Sequence, residues 1–324
     1  RARRAKHPQH GVEVFRRGFT AEPAADNGGL QVMVLSMVLA LIQPFALVPI
    51  GTALVAYLLV RAYLTRRIPS HELRWSSMLW LPAVPFAVYY AAVFRFNDVM
   101  AAFNEQNLTP SPAPHLYIFG YGMLLIVALP GLIRAVRRFE RDGDQFMLLW
   151  FVLNVALLYA PFNLQRRLTV GLIIPLVFFA VRSLEDFWFF KVPKRWRAAA
   201  LGALLVLLLP SNVLNLSIPL FGISASPESG LESGLLVETD YWNAFRWIDR
   251  RGDQNAVALA APTISAWIPA YTPARVVYGH EFETVPSEER KEQVEAWYHG
   301  ADCATLTSAA LPFHVDYIFW GPQE

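Results

Sequence analysis

Apolar residues fall in long blocks separated by short, arginine-rich stretches. Leu30–Leu64 is one such stretch, broken at Gln43-Pro44 and again at Pro49. Within it, Phe45–Leu64 is long enough to cross a hydrocarbon core of about 30 Å at roughly 1.5 Å per residue. Leu30–Ile42 is short for a span. It reads as an interfacial or re-entrant helix, or as the short first arm of a hairpin, with the interfacial reading preferred. Further apolar blocks are Met78–Phe94, Leu116–Ile133, Phe146–Ala160, Leu168–Val181 (which can run on to Phe190) and Ala198–Leu220. Pro82 and Pro85 are tolerated in a span, and Gly120-Tyr121-Gly122 predicts a face for close helix packing. The pattern predicts a membrane all-α helical bundle of about six spans over residues 30–223, after a polar segment at 1–29.

The pattern changes after Leu220. Residues 224–236 form a linker rich in Ser, Gly and Glu, and residues 237–324 hold no apolar run of membrane length. Ala256–Ala261, Arg275–Tyr278 and Val315–Trp320 read as strands. Pro262–Ala270, Ser287–His299 and Cys303–Ala310 read as helices. Strands alternating with helices predict a small parallel α/β domain. So short a chain buries only a modest core.

Composition agrees with the membrane class. Hydrophobic residues make up 55% of the 324, and charged residues only 17%, too apolar a balance for an ordinary soluble protein. A single cysteine, Cys303, excludes an intrachain disulfide and reads as a small buried hydrophobe. The chain opens on Arg1 without a recognisable signal peptide, so a fragment lacking its N-terminal part is expected.

The placement of charge gives an orientation. Stretches 61–77, 134–144 and 191–197 each carry four Lys or Arg, whereas 95–115 carries Arg95 alone and 161–167 carries Arg166 and Arg167. Cytoplasmic loops hold the excess of positive charge. The first set is therefore expected inside and the second outside. The last span then runs outward, leaving residues 237–324 extracytoplasmic, in the bacterial case outside the plasma membrane.

Arg166-Arg167 runs against that trend. Two arginines between two spans need something negative nearby. Three readings stand: they meet lipid headgroups, they pair with an acid of the same chain, or they hold an anionic ligand. For the last, a phosphate or pyrophosphate on a lipid carrier matches the planar guanidinium.

Other candidates are fewer. The 95–115 loop offers Asp98 and Glu105 as acids for base or metal chemistry, or as plain solvated carboxylates. Asn107-Leu108-Thr109 has the pattern of a glycosylation acceptor. After the second strand, His280, Glu281 and Glu283 lie where parallel α/β layers place ligands. Acid–base work or a divalent metal is open to them, although no second His stands at metal spacing. Nucleotide-loop, zinc-protease and hydrolase-elbow motifs are absent, and nothing in the charge pattern suggests nucleic-acid binding. Few acids lie within the spans, which disfavours an ion pump.

The order Tyr159-x-Pro161-Phe162-Asn163-x-Gln165-Arg166-Arg167, then Gly171-Leu172-x-x-Pro175-Leu176, is accompanied by Asn107-Leu108-Thr109-x-Ser111-Pro112 and Gly120-Tyr121-Gly122. Further on come Gly279-His280-x-x-Glu283-Thr284 and Gly321-Pro322-x-Glu324. This arrangement resembles the C-terminal half of bacterial multi-span glycosyltransferases of the GT-C type, similar to mannosyltransferase, aminoarabinose-transferase and family 39-like membrane proteins. The resemblance implies a transferase that takes a sugar from a polyprenyl-phosphate donor at the outer membrane face, with membrane lipid as its surroundings. It places Gln165, Arg166 and Arg167 at the carrier phosphate, and Asp98, Glu105, His280, Glu281 and Glu283 among candidates for the acceptor side. The family's catalytic acid sits in an early outer loop, expected to precede Arg1, so no catalytic residue is carried over. A non-catalytic structural, assembly or lipid-binding membrane protein is the alternative, and a lipid or polysaccharide transporter is a weaker one.

Overall fold

The computed structural model describes residues 27–140, 143–225, 236–251, 253–300 and 314–321. Cys303, the helix expected at 303–310, most of the polar segment 1–29 and most of the 224–236 linker lie outside them. The chain forms two compact units, residues 1–92 with 109–201, and residues 93–108 with 202–324.

The first unit contains α1 (Asn27–Ile42), α2 (Leu47–Thr65), most of α3 (Ser70–Phe96), α5 (Pro114–Arg138), α6 (Asp144–Leu157) and α7 (Ile173–Ser183). A π-helical turn, Leu184–Trp188, continues α7 towards Lys191. Five segments among the described residues are long and apolar enough to cross a membrane: Pro44–Thr65, Ser70–Phe96, Pro114–Arg138, Gln165–Lys191 and Lys194–Gly222. The block expected as a span at Phe146–Ala160 forms α6, which is shorter than these five segments. α6 has 14 residues, roughly 21 Å of helix, because the chain leaves helical geometry after Leu157.

α1 follows α3 along its length, both running in the same direction. Gly28 faces Trp75, and Gly29 faces Met78. The Ser36 hydroxyl donates to the Leu79 carbonyl. Ala40 and Ala83 share a buried cluster with Leu47. Residues 28–40 therefore pack beside 75–83 of α3.

Close helix packing is found away from Gly120 and Gly122. A Cβ at either would meet nothing within 4 Å. Gly122 instead takes φ 35° and interrupts α5, a conformation that glycine enters without a steric penalty. The tight crossing lies at Gly131, which faces the Phe179 carbonyl of α7. There the Gly131 N–H donates to Ser183 Oγ at 2.6 Å, and that hydroxyl donates to the Ala128 carbonyl at 3.2 Å.

The second unit holds the end of α3, α4 (Asp98–Gln106), the second part of α8 (Arg197–Leu208), α9 (Pro210–Ala225), and a small α/β layer. The expected last span is two helices, interrupted at Leu209. The layer consists of α10 (Thr239–Arg251), β1 (Val257–Leu259), α11 (Pro262–Ser265), α12 (Ile268–Tyr271), β2 (Arg275–Val276), α13 (Ser287–Tyr298) and β3 (Tyr317–Ile318). Its sheet is parallel with order β2-β1-β3, pairing Val257 with Arg275 and Leu259 with Ile318. Apolar residues of α10 at helical spacing, Tyr241, Phe245 and Ile248, close one side of the core over Ala256, Ala258 and Phe319.

Candidate anion-binding rim and domain cavity

In the first unit, the chain on either side of α6 and α5 meets at one end of the bundle. The Thr109 N–H donates to the Asn163 carbonyl at 2.7 Å, and the Arg166 N–H donates to the Thr109 carbonyl at 2.9 Å. Gln165 ties the same two segments. Its Oε1 accepts from the Ser111 N–H at 3.0 Å, and its Nε2 donates to the Ala160 carbonyl at 2.7 Å. The Tyr159 hydroxyl donates to the Pro112 carbonyl at 3.0 Å, and Ser111 and Tyr117 hydroxyls lie 3.1 Å apart. Gln165, expected at a phosphate, has both ends of its amide committed to backbone.

The backbone of the arginine pair is fixed from below as well. Asn154, fully buried in α6, donates through Nδ2 to the Leu168 carbonyl at 3.1 Å. The Thr169 hydroxyl donates to the Arg166 carbonyl at 2.8 Å. Arg166 and Arg167 are both exposed, and among the described residues neither forms an ion pair. Arg167 lies over the Phe45 ring, 5.4 Å from its centroid, a cation–π contact that orients the cation without neutralising it. Of the three readings of this dipeptide, pairing with an acid of the same chain is not what the described residues show.

The second unit brings some of the remaining candidates together and separates others. A cavity of about 330 Å³ opens beyond the end of β2, lined by Val276, Gly279, His280, Glu283, Thr284 and Arg290 among others. His280 and Glu283 share it, while Glu281 is not among its lining residues. The His280 Nδ1 accepts from the Phe282 N–H at 3.1 Å, so its proton is held at Nε2 when the ring is neutral. Asp98 sits in the first turn of α4, whose N-cap is Asn97, with the Met100 N–H donating to Asn97 Oδ1 at 3.0 Å. Asp98 and Glu105 are exposed. Among the described residues no three His, Cys, Asp or Glu side chains gather as a metal-holding group.

Gln106 and Asn107, which the sequence did not single out as anchors, attach α4 to the loop lining this cavity. Gln106 Nε2 donates to the Thr284 carbonyl at 2.6 Å, and its Oε1 accepts from the Ser287 N–H at 3.3 Å. Asn107 Nδ2 donates to the Phe282 carbonyl at 2.9 Å and to the Phe103 carbonyl at 3.0 Å. Asn107 is only 3% exposed. Its amide is therefore packed within the folded chain, bonded to the Phe103 and Phe282 carbonyls.

Asn154 was also absent from the sequence-based candidates. The signal for it was a lone amide within the apolar run 146–158, where an unpaired polar group is costly. Comparison with protein-family models, with curated proteins and with solved structures finds no match to this chain.

Proposed function

We propose that this chain is an integral membrane protein of the plasma membrane that binds the phosphate of a polyprenyl-phosphate sugar at Arg166 and Arg167, as the donor-binding part of a GT-C-like glycosyltransferase. In this reading the C-terminal domain is extracytoplasmic and contributes to the acceptor side. One observation carries the proposal. Two exposed guanidiniums without an ion pair among the described residues stand on a backbone fixed by Thr109, Gln165, Asn154 and Thr169. Fixed cationic donors are suited to a phosphate, whose negative charge grows as the sugar's anomeric bond breaks. The acceptor hydroxyl would attack the anomeric carbon and lose its proton to a carboxylate, while the carrier phosphate departs towards the arginines. The proposal assigns no residue to that carboxylate.

The test is transfer from a polyprenyl-phosphate sugar in vesicles, together with binding of the unsubstituted polyprenyl phosphate. Arg166→Ala and Arg167→Ala should each weaken binding roughly tenfold, as expected for a lost charge-assisted hydrogen bond. Unchanged binding and transfer in both variants would remove the proposed role. A second reading, a non-catalytic lipid-binding membrane protein, draws on the same rim, since no described carboxylate is in ion-pair contact with the pair. Phosphate-dependent binding without sugar transfer would select it.

A further inference from the structure

We infer that the outward face of α10 is a docking surface for anionic lipid headgroups, holding the α/β layer against the membrane. The inference is independent of whether the chain transfers sugar. α10 buries Tyr241, Phe245 and Ile248 on its inner side. At the helical repeat of about 100° per residue, Arg246, Arg250 and Asn243 occupy the opposite side, with Trp242 on one flank and Trp247 on the other. Trp242 and Trp247 are 41% and 49% exposed, which is high for rings of this size. Trp242 meets the exposed Tyr271 edge to face at 5.1 Å, extending the aromatic flank beyond the helix. Arg251 lies 4.0 Å over the Trp247 ring.

The chemistry favours a lipid surface over a folded partner. Arg246, Arg250 and Arg251 are exposed and make no ion pair among the described residues. The acids Asp240 and Asp249 lie towards the margins of the face. Arginine between tryptophans is the composition of a headgroup interface, where indoles lie at the polar–apolar boundary and guanidiniums meet phosphates. Gln106 bonds the layer directly to the end of α4, and α4 follows the apolar helix α3 after a single residue, Asn97. α4 is nine residues long, so its hydrogen-bonded end stands roughly 14 Å from the end of α3.

The experiment uses the full chain in nanodiscs. Asn243→Cys in a Cys303→Ser background carries an environment-sensitive fluorophore, and Glu292→Cys on α13 serves as a control. In phosphatidylglycerol discs, the label at 243 should emit to the blue of its position in phosphatidylcholine discs and be quenched by lipid-borne nitroxide, while the label at 292 stays water-exposed. Arg246→Glu with Arg250→Glu should abolish both signals, and Arg246→Lys with Arg250→Lys should retain them. Water-exposed emission at 243 in phosphatidylglycerol would overturn the inference. So would shielding that is equal in both lipids and indifferent to charge reversal, which would identify a second copy of the chain as the occupant.

Discussion

The two ends of the helical unit use arginine differently. Where α5 finishes and α6 begins, several cations are matched. Arg134 reaches Asp186 at 2.6 Å and Glu140 at 3.0 Å, and Arg182 reaches Asp144 at 3.3 Å. At the α2–α3 turn Arg61 faces Glu72 at 3.9 Å. Asp144 is 1% exposed, so its charge is acceptable only because cationic and hydrogen-bonding groups surround it. At the other end, Arg166 and Arg167 are exposed on a rigid backbone and form no ion pair among the described residues. The matched end has the greater number of arginines, and Arg66, Arg67, Arg74 and Arg137 there are exposed and form no ion pair among the described residues. Charge count alone therefore does not locate an anion site. What distinguishes the rim is that its unpaired cations stand on a backbone held by hydrogen bonds from other segments, through Thr109 and Asn154.

The largest expected effect lies at the matched end. Asp144→Ala should lower stability by about 3 kcal/mol, since it leaves the partly buried Arg182 without this carboxylate. Thermal unfolding in detergent measures this, and an unchanged midpoint would mean that the ion pair is not structural. Arg166→Ala and Arg167→Ala should behave in the reverse manner. Their unfolding midpoints should stay near that of the parent, within about 0.5 kcal/mol, while phosphate-lipid binding falls roughly tenfold. A stability loss at Arg166 comparable with that at Asp144 would erase the distinction between the two ends.

Gln165→Ala should fall between these. It removes two hydrogen bonds to backbone and should lower stability by about 1 kcal/mol. Any loss of binding would be indirect, through a looser rim. Gln165→Glu sharpens the point. The carboxylate keeps an acceptor for the Ser111 N–H, loses the donor to Ala160, and places a negative charge beside the arginines. A larger binding loss in Gln165→Glu than in Gln165→Ala would show that the rim senses charge.

Much of this architecture is legible in the sequence, for physical reasons that also explain the omissions. Membrane-length helices follow from uninterrupted apolar runs, and all three strands lie within runs dominated by apolar and β-branched residues. α10 was missed because its apolar positions, 241, 245 and 248, are interspersed with Arg and Asp and resemble a polar flank. α4 was missed because the Asn- and Pro-rich surroundings of 95–115 suggested a loop, whereas Asn97 caps a helix there. Gly122 was legible as special but not as a break in α5, since close packing and positive φ both favour glycine. At the rim, the sequence singled out the arginine pair. It did not reveal whether an acid meets the pair, nor that Gln165 bonds to segments 109–112 and 160, because both depend on contacts between distant positions.

Salt provides the smallest and most direct comparison. An exposed cation interacts with its ligand through solvent, where the Debye length falls from about 10 Å at 0.1 M to about 3 Å at 1 M ionic strength. A pair excluded from solvent is screened much less. Raising salt across that range should therefore weaken phosphate-lipid binding at Arg166 and Arg167 several-fold, while the unfolding midpoint set by Asp144 and Arg182 moves little. Measuring both on one preparation separates the two ends without any substitution. If binding proves insensitive to salt while the midpoint falls, the anion is held in a desolvated site and the matched end is the solvated one, the reverse of the assignment made from exposure.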